Sequence, residues 1–145
     1  MAKVEGEAPE KRTTETEEIK RVLESVRGAL SDTGLVIAHF THPDEHSHEG
    51  DAQSKIKSIE LIDRHFFKPL AKDLEKSADT RLTVVPTLMS RIETRQHDER
   101  PVPFLMWGQG VENTEQLTFT EANAAGSRLK IDDGTRLIDF IMNGL

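Results

Sequence analysis

Four of the six histidines, His39, His42, His46 and His48, fall within ten residues of one another, and Asp44 and Glu45 lie among them. In Pro43-Asp44-Glu45-His46-Ser47-His48 a carboxylate and an imidazole are four positions apart, so one turn of chain can bring Asp44 and His48 to the same ion. A D-x-x-x-H string is common, and the same pair also fits a solvated surface loop. His97, in His97-Asp98-Glu99-Arg100-Pro101, supplies a third ligand if its loop meets that of Asp44 over one end of a sheet; otherwise it is an exposed loop histidine. Two imidazoles and one carboxylate, with a fourth position open, suit a single divalent ion, Mn2+ or Zn2+, with Fe2+ as a further candidate.

The remaining polar residues have ordinary readings. His39 lies in an apolar run and is expected to be a hydrogen-bonded core residue. His42 and His46 read as exposed residues, or else as outer partners or alternate ligands of the site, and His65 as solvent-exposed. Thr41 and Ser47 read as loop hydroxyls, so no catalytic nucleophile is assigned, nor any residue for an organic cofactor. Trp107 is expected to pack against a helix, and Gly108-Gln109-Gly110 to form a turn rather than a phosphate loop.

Composition narrows the partners. A net charge of −7 argues against a nonspecific grip on nucleic acid or on an anionic membrane. Without cysteine there is no disulfide framework, thiolate zinc site or thiol catalysis, so any metal binds through nitrogen and oxygen. No apolar stretch approaches the roughly 20 residues of a membrane span, and the opening Met1-Ala2-Lys3-Val4-Glu5 lacks the apolar core of a signal peptide. The expectation is a cytoplasmic protein.

The elements that must position the site follow from periodicity. Residues 1–14 are almost wholly polar and are expected to form a disordered, charged arm; residues 15–145 are expected to form one α/β metal-binding domain. Ile19, Val22, Leu23, Val26 and Leu30 recur at helical spacing from Glu15 to Leu30. Asp32-Thr33-Gly34 stops that helix, and Leu35 to Phe40 reads as a strand buried on both faces. A long helix is expected from Ala52 to Ser77, with Ile56, Ile59, Ile62, Phe66, Leu70 and Leu74 inward and Pro69 kinking or dividing it. Arg81 to Val85 and Val102 to Trp107 read as further strands, separated by a polar loop from Ser90 to Arg100. Short helices near Glu121 to Ala125 and Thr135 to Met142 close the chain, the latter with Leu137, Ile138 and Ile141 inward. Strand, helix, strand is the order of a right-handed parallel crossover, and the C-terminal end of the first strand is where open α/β sheets place their sites.

Several strings in sequence order carry a resemblance. Pro43-Asp44-Glu45-His46-Ser47-His48-Glu49-Gly50-Asp51, then Lys55-Ile56-Lys57-Ser58-Ile59-Glu60-Leu61-Ile62-Asp63, then His97 with Pro101-Val102-Pro103-Phe104-Leu105, and Phe119-Thr120-Glu121-Ala122, resemble the C-terminal part of archaeal-type cofactor-independent phosphoglycerate mutases of the alkaline phosphatase superfamily. The resemblance spans about Leu35 to Leu145. It implies a three-layer, mostly parallel sheet flanked by helices, here a truncated alkaline-phosphatase-like core. It also implies phosphoryl transfer through a phosphoserine with two divalent metals, one of them held by Asp44, His48 and His97. The Asp-His pair that holds the second metal in the family corresponds to Thr87-Leu88, which cannot replace it. The family's early aspartate, its nucleophile and its inserted substrate domain have no counterpart in these residues.

The expected function is therefore a metal-binding domain that is inactive alone. The alternatives are a split mutase completed by a partner chain, a phosphohydrolase working with one metal and water, or a structural module with a vestigial metal site. A homodimer or a separate partner polypeptide is expected to complete the sheet.

Overall fold

The computed structural model describes residues 2–4, 13–77, 79–112 and 118–143. In chain order its elements are β1 (Ala2–Val4), α1 (Glu15–Leu30), β2 (Val36–Ala38), α2 (His42–Glu49), α3 (Ala52–Ile62), a π-helical turn (Asp63–Phe67), α4 (Lys68–Leu74), β3 (Arg81–Val84), β4 (Met89–Arg91), β5 (Gln96–Asp98), β6 (Leu105–Gly108), α5 (Glu121–Gly126), a 3-10 turn (Gly134–Arg136) and α6 (Leu137–Asn143). They form two compact units, residues 1–73 with 90–96, and residues 74–89 with 97–145.

In the first unit, Thr14 starts α1 with a capping box: its hydroxyl accepts from the Glu17 amide at 3.3 Å, and its own amide donates to Glu17 Oε2 at 2.8 Å. The face carrying Ile19, Val22, Leu23 and Val26 is buried, as the helical spacing requires. β2 runs parallel to β1, with Ile37 opposite Lys3, and α1 packs on β2. α2 ends at Gly50, whose φ of 79° closes the helix; the Asp51 amide then donates back to the His46 carbonyl at 2.9 Å. Asp51 in turn caps α3, accepting from the Ser54 amide at 3.0 Å. The two helices pack closely, and the small residues Ser47 and Ser58 are fully buried.

The long helix runs on through Leu74, with a π-helical turn just ahead of Pro69. Proline has no amide to donate and its ring clashes with the carbonyl four residues earlier, so the ladder widens and the Lys68 amide reaches back to the Asp63 carbonyl. The wider turn also serves packing. Ile62, Phe66, Leu70 and Leu74 are buried at intervals of four, and an α-helix at 3.6 residues per turn drifts by about 40° over each such interval.

In the second unit, β3 and β6 pair antiparallel, Leu82 opposite Trp107 and Val84 opposite Leu105. Gly108 has a φ of 117°, and a Cβ there would lie 2.3 Å from the Thr80 carbonyl oxygen, so only glycine fits. Arg81 ties the unit together, donating to the carbonyls of Gln109 at 2.6 Å and Ile141 at 2.8 Å.

Several expectations are corrected. The three-layer, mostly parallel sheet is not seen among the described residues: the sheets are two-stranded, β1 with β2, β3 with β6 and β4 with β5, and the expected β2 to β3 parallel crossover is absent. Prolines account for part of this, because Pro86 follows β3 and Pro101 and Pro103 delay β6 to Leu105. Ser90 to Arg100 is not a loop throughout but contains the β4 and β5 hairpin. His39 and Trp107 are exposed rather than packed, Ile37, Ile56, Ile59, Leu30 and Ile138 also face outward, and His65 is half-buried. Of the expected N-terminal arm, Ala2–Val4 is a strand and Thr13 and Thr14 lead into α1; the rest lies outside the described residues. Among the described residues no helix is long and apolar enough to cross a membrane.

Candidate metal centre

The segment after β2 is helical rather than a loop, and that places Asp44 and His48 one turn apart on the same face of α2. Pro43 sits in the first turn, where its missing amide costs no hydrogen bond, and Ser47 fixes the helix from its buried side by donating to the Pro43 carbonyl at 2.9 Å. Asp44 Oδ2 and His48 Nε2 are 3.4 Å apart; Asp44 is half-buried and His48 exposed.

Each of these side chains is held from behind by the segment from Ser90 to Gln96. His48 Nδ1 lies 2.9 Å from the Arg95 carbonyl oxygen. A carbonyl only accepts, so Nδ1 carries a proton, and in the neutral ring Nε2 then presents its lone pair toward Asp44. The Ser90 hydroxyl donates to Asp44 Oδ1, and Lys55 Nζ donates to the Ser90 carbonyl at 2.9 Å. With the ring neutral, two acceptors, Oδ2 and Nε2, face one another, an arrangement that suits a shared cation.

The other histidines take different partners. His42 Nε2 is 3.1 Å from Glu18 Oε2, linking α2 to α1, and His46 Nδ1 is 3.2 Å from Glu49 Oε2. His39 is exposed beside β2. Asp51, at the end of this helix corner, is held below the usual carboxylate range by the Ser54 amide and then by the Ser54 hydroxyl. His97 is exposed on β5; it follows Gln96 directly and belongs to the second unit. Thr87 and Leu88 are exposed in the bend between β3 and β4.

Sequence reasoning missed Ser90 and Arg95, which it placed in an undifferentiated polar loop. Arg95 gives no signal, because it takes a φ of 56°, a conformation expected of glycine or asparagine. Gly50 and Lys55 stood within the family-like strings, yet only the structure gives them roles, Gly50 as a helix stop beside the Arg95 side chain and Lys55 as the anchor of Ser90.

Comparison with known proteins identifies the chain's relatives and its superfamily. The chain is 35% identical over 117 residues to the 2,3-bisphosphoglycerate-independent phosphoglycerate mutase of Methanothrix thermoacetophila, a match covering 80% of this chain and 30% of that protein. It is 33% identical over 116 residues to 2,3-bisphosphoglycerate-independent phosphoglycerate mutase 2 of Methanothermobacter thermautotrophicus, covering 80% and 29%. The enzyme of Methanosarcina acetivorans is 35% identical over 116 residues, covering 79% and 29%. The chain thus spans about 30% of the length of the curated relatives it matches. No solved structure matches it significantly. The family model of the metalloenzyme superfamily matches residues 2–141, and the chain belongs to that superfamily.

Proposed function

We propose that this chain is a metal-binding domain in which Asp44, His48 and His97 hold one divalent cation, and that it does not turn over phosphoglycerate by itself. The observation that carries the metal reading is the aim of His48: its Nδ1 proton is committed to the Arg95 carbonyl, and its Nε2 faces Asp44 Oδ2 across 3.4 Å. His97 enters by covalent reach. It is two residues beyond Arg95, whose carbonyl His48 holds, and two residues of chain extend at most about 7 Å. Imidazole, imidazole and carboxylate accept Mn2+, Zn2+ or Fe2+, and such an ion would supply Lewis-acid polarisation of an oxygen ligand.

The inactivity reading rests on Thr87 and Leu88. They stand where the family resemblance expects a second metal's aspartate and histidine, and neither side chain replaces those ligands at a divalent ion. A second reading is an enzyme completed by a partner chain, or a phosphohydrolase with one metal and water. The exposure of His48 favours it, because that side leaves room for a substrate. The outward-facing Ile37, Ile56 and Ile59 of the first unit favour a covering chain, either a second copy or a separate polypeptide.

Calorimetric titration of Mn2+ into chelator-treated protein tests the metal site. Asp44→Ala and His97→Ala should each weaken binding strongly. Wild-type affinity in Asp44→Ala would remove the site, and wild-type affinity in His97→Ala would remove His97 from it. Sedimentation at micromolar concentration tests the covering chain.

A further inference from the structure

We infer that Ser90 is a positioning residue of the centre on α2: its hydroxyl takes up Asp44 Oδ1 and leaves Oδ2 aimed at His48 Nε2. This inference rests on the proposal that Asp44 and His48 bind a cation. Ser90 and Arg95 bracket one short turn, which closes on itself through the Arg95 amide donating to the Arg91 carbonyl at 2.8 Å. One end of the turn fixes the carboxylate through the Ser90 hydroxyl; the other fixes the imidazole through the Arg95 carbonyl at 2.9 Å. The turn is itself pinned twice. Lys55 Nζ holds the Ser90 carbonyl at 2.9 Å, and the Arg95 guanidinium lies against Gly50, where a Cβ would come within 2.8 Å of Nε.

A carboxylate alone on a helix samples several rotamers and offers either oxygen. A hydroxyl committed to Oδ1 removes that choice before any ion arrives, which lowers the ordering cost of binding. Ser90 reaches the centre through Asp44 Oδ1, so its action is through Asp44.

The test compares Ser90→Ala with Ser90→Thr, which keeps the hydroxyl, in the full chain. Mn2+ affinity should fall about tenfold or more in Ser90→Ala, the scale set by outer partners of metal ligands, and Ser90→Thr should restore most of it. Nitrogen-15 NMR of the metal-free protein supplies a second readout. His48 should be the Nδ1–H tautomer in the wild type, and its Nε2 resonance should move in Ser90→Ala but not in Ser90→Thr. Unchanged Mn2+ affinity in Ser90→Ala, or an unmoved Nε2 resonance, would overturn the inference. If the wild type binds no Mn2+, the metal reading falls, and the Nε2 resonance alone decides the role of Ser90. An Nε2–H tautomer in the wild type would overturn it without any variant.

Discussion

The ring of Phe66 meets that of Phe40 edge-on, with centroids 4.9 Å apart and planes 76° to one another. Phe40 immediately precedes Thr41, the N-cap of α2, and Phe66 lies within the π-helical turn, so this contact joins the long helix to the segment that launches α2, the helix of Asp44 and His48. Phe66 is 3% exposed and also stacks edge-on with Phe67 at 5.3 Å. Phe66→Ala should cost about 3 to 5 kcal/mol, the usual range for emptying a buried aromatic site, with Phe66→Leu losing less. Urea unfolding followed by far-UV circular dichroism measures both. A loss in Phe66→Ala no larger than that of an exposed position would show that this ring does not support the core.

Metal binding should appear as stability. A cation that binds only the folded chain adds about 2.7 kcal/mol when its concentration is a hundredfold above the dissociation constant. Mn2+ should therefore raise the unfolding midpoint of the wild type, leave that of His48→Ala unchanged, and lose its effect on chelation. An equal rise in wild type and His48→Ala would place the ion elsewhere.

These dependences show how unevenly the sequence reveals the molecule. α1 runs over the residues its apolar spacing marks, from Glu15 to Leu30, because one amphipathic face and a capping box act locally. Asp44 and His48 were legible for the same reason, since their convergence needs only one helical turn. The sheets were not legible. Whether β3 pairs with β6 or with another strand depends on partners far along the chain, and strands of three or four residues carry almost no period of their own. Ser90 and Arg95 were hidden more deeply. Ser90 contributes a single hydroxyl and Arg95 a backbone carbonyl, which any residue type supplies.

Phosphoglycerate mutase turnover should be absent from the isolated chain. Transfer of a phosphoryl group needs its developing charge neutralised from more than one side, and Thr87 and Leu88 provide no second metal position. A coupled assay with added Mn2+ should stay at background. Turnover that vanishes in His48→Ala would favour the enzyme reading instead.

Acid should destabilise the first unit through its helix caps. Glu17 is held below the usual carboxylate range by the Thr14 amide and then the Thr14 hydroxyl, and Asp51 by the Ser54 amide and hydroxyl. A carboxylate lowered by folding binds its proton more weakly in the folded chain than in the unfolded one. Its contribution is complete above the ordinary carboxylate range and is lost as pH falls through the lowered folded value. Thermal unfolding of the metal-free protein between neutral pH and about pH 3 should therefore show a falling midpoint on the acid side. In the double variant Glu17→Gln with Asp51→Asn, both caps retain an acceptor oxygen that does not titrate in this range. The variant should keep most of the neutral-pH stability but lose midpoint less steeply in acid. An acid limb as steep as that of the wild type would show that other carboxylates govern the loss.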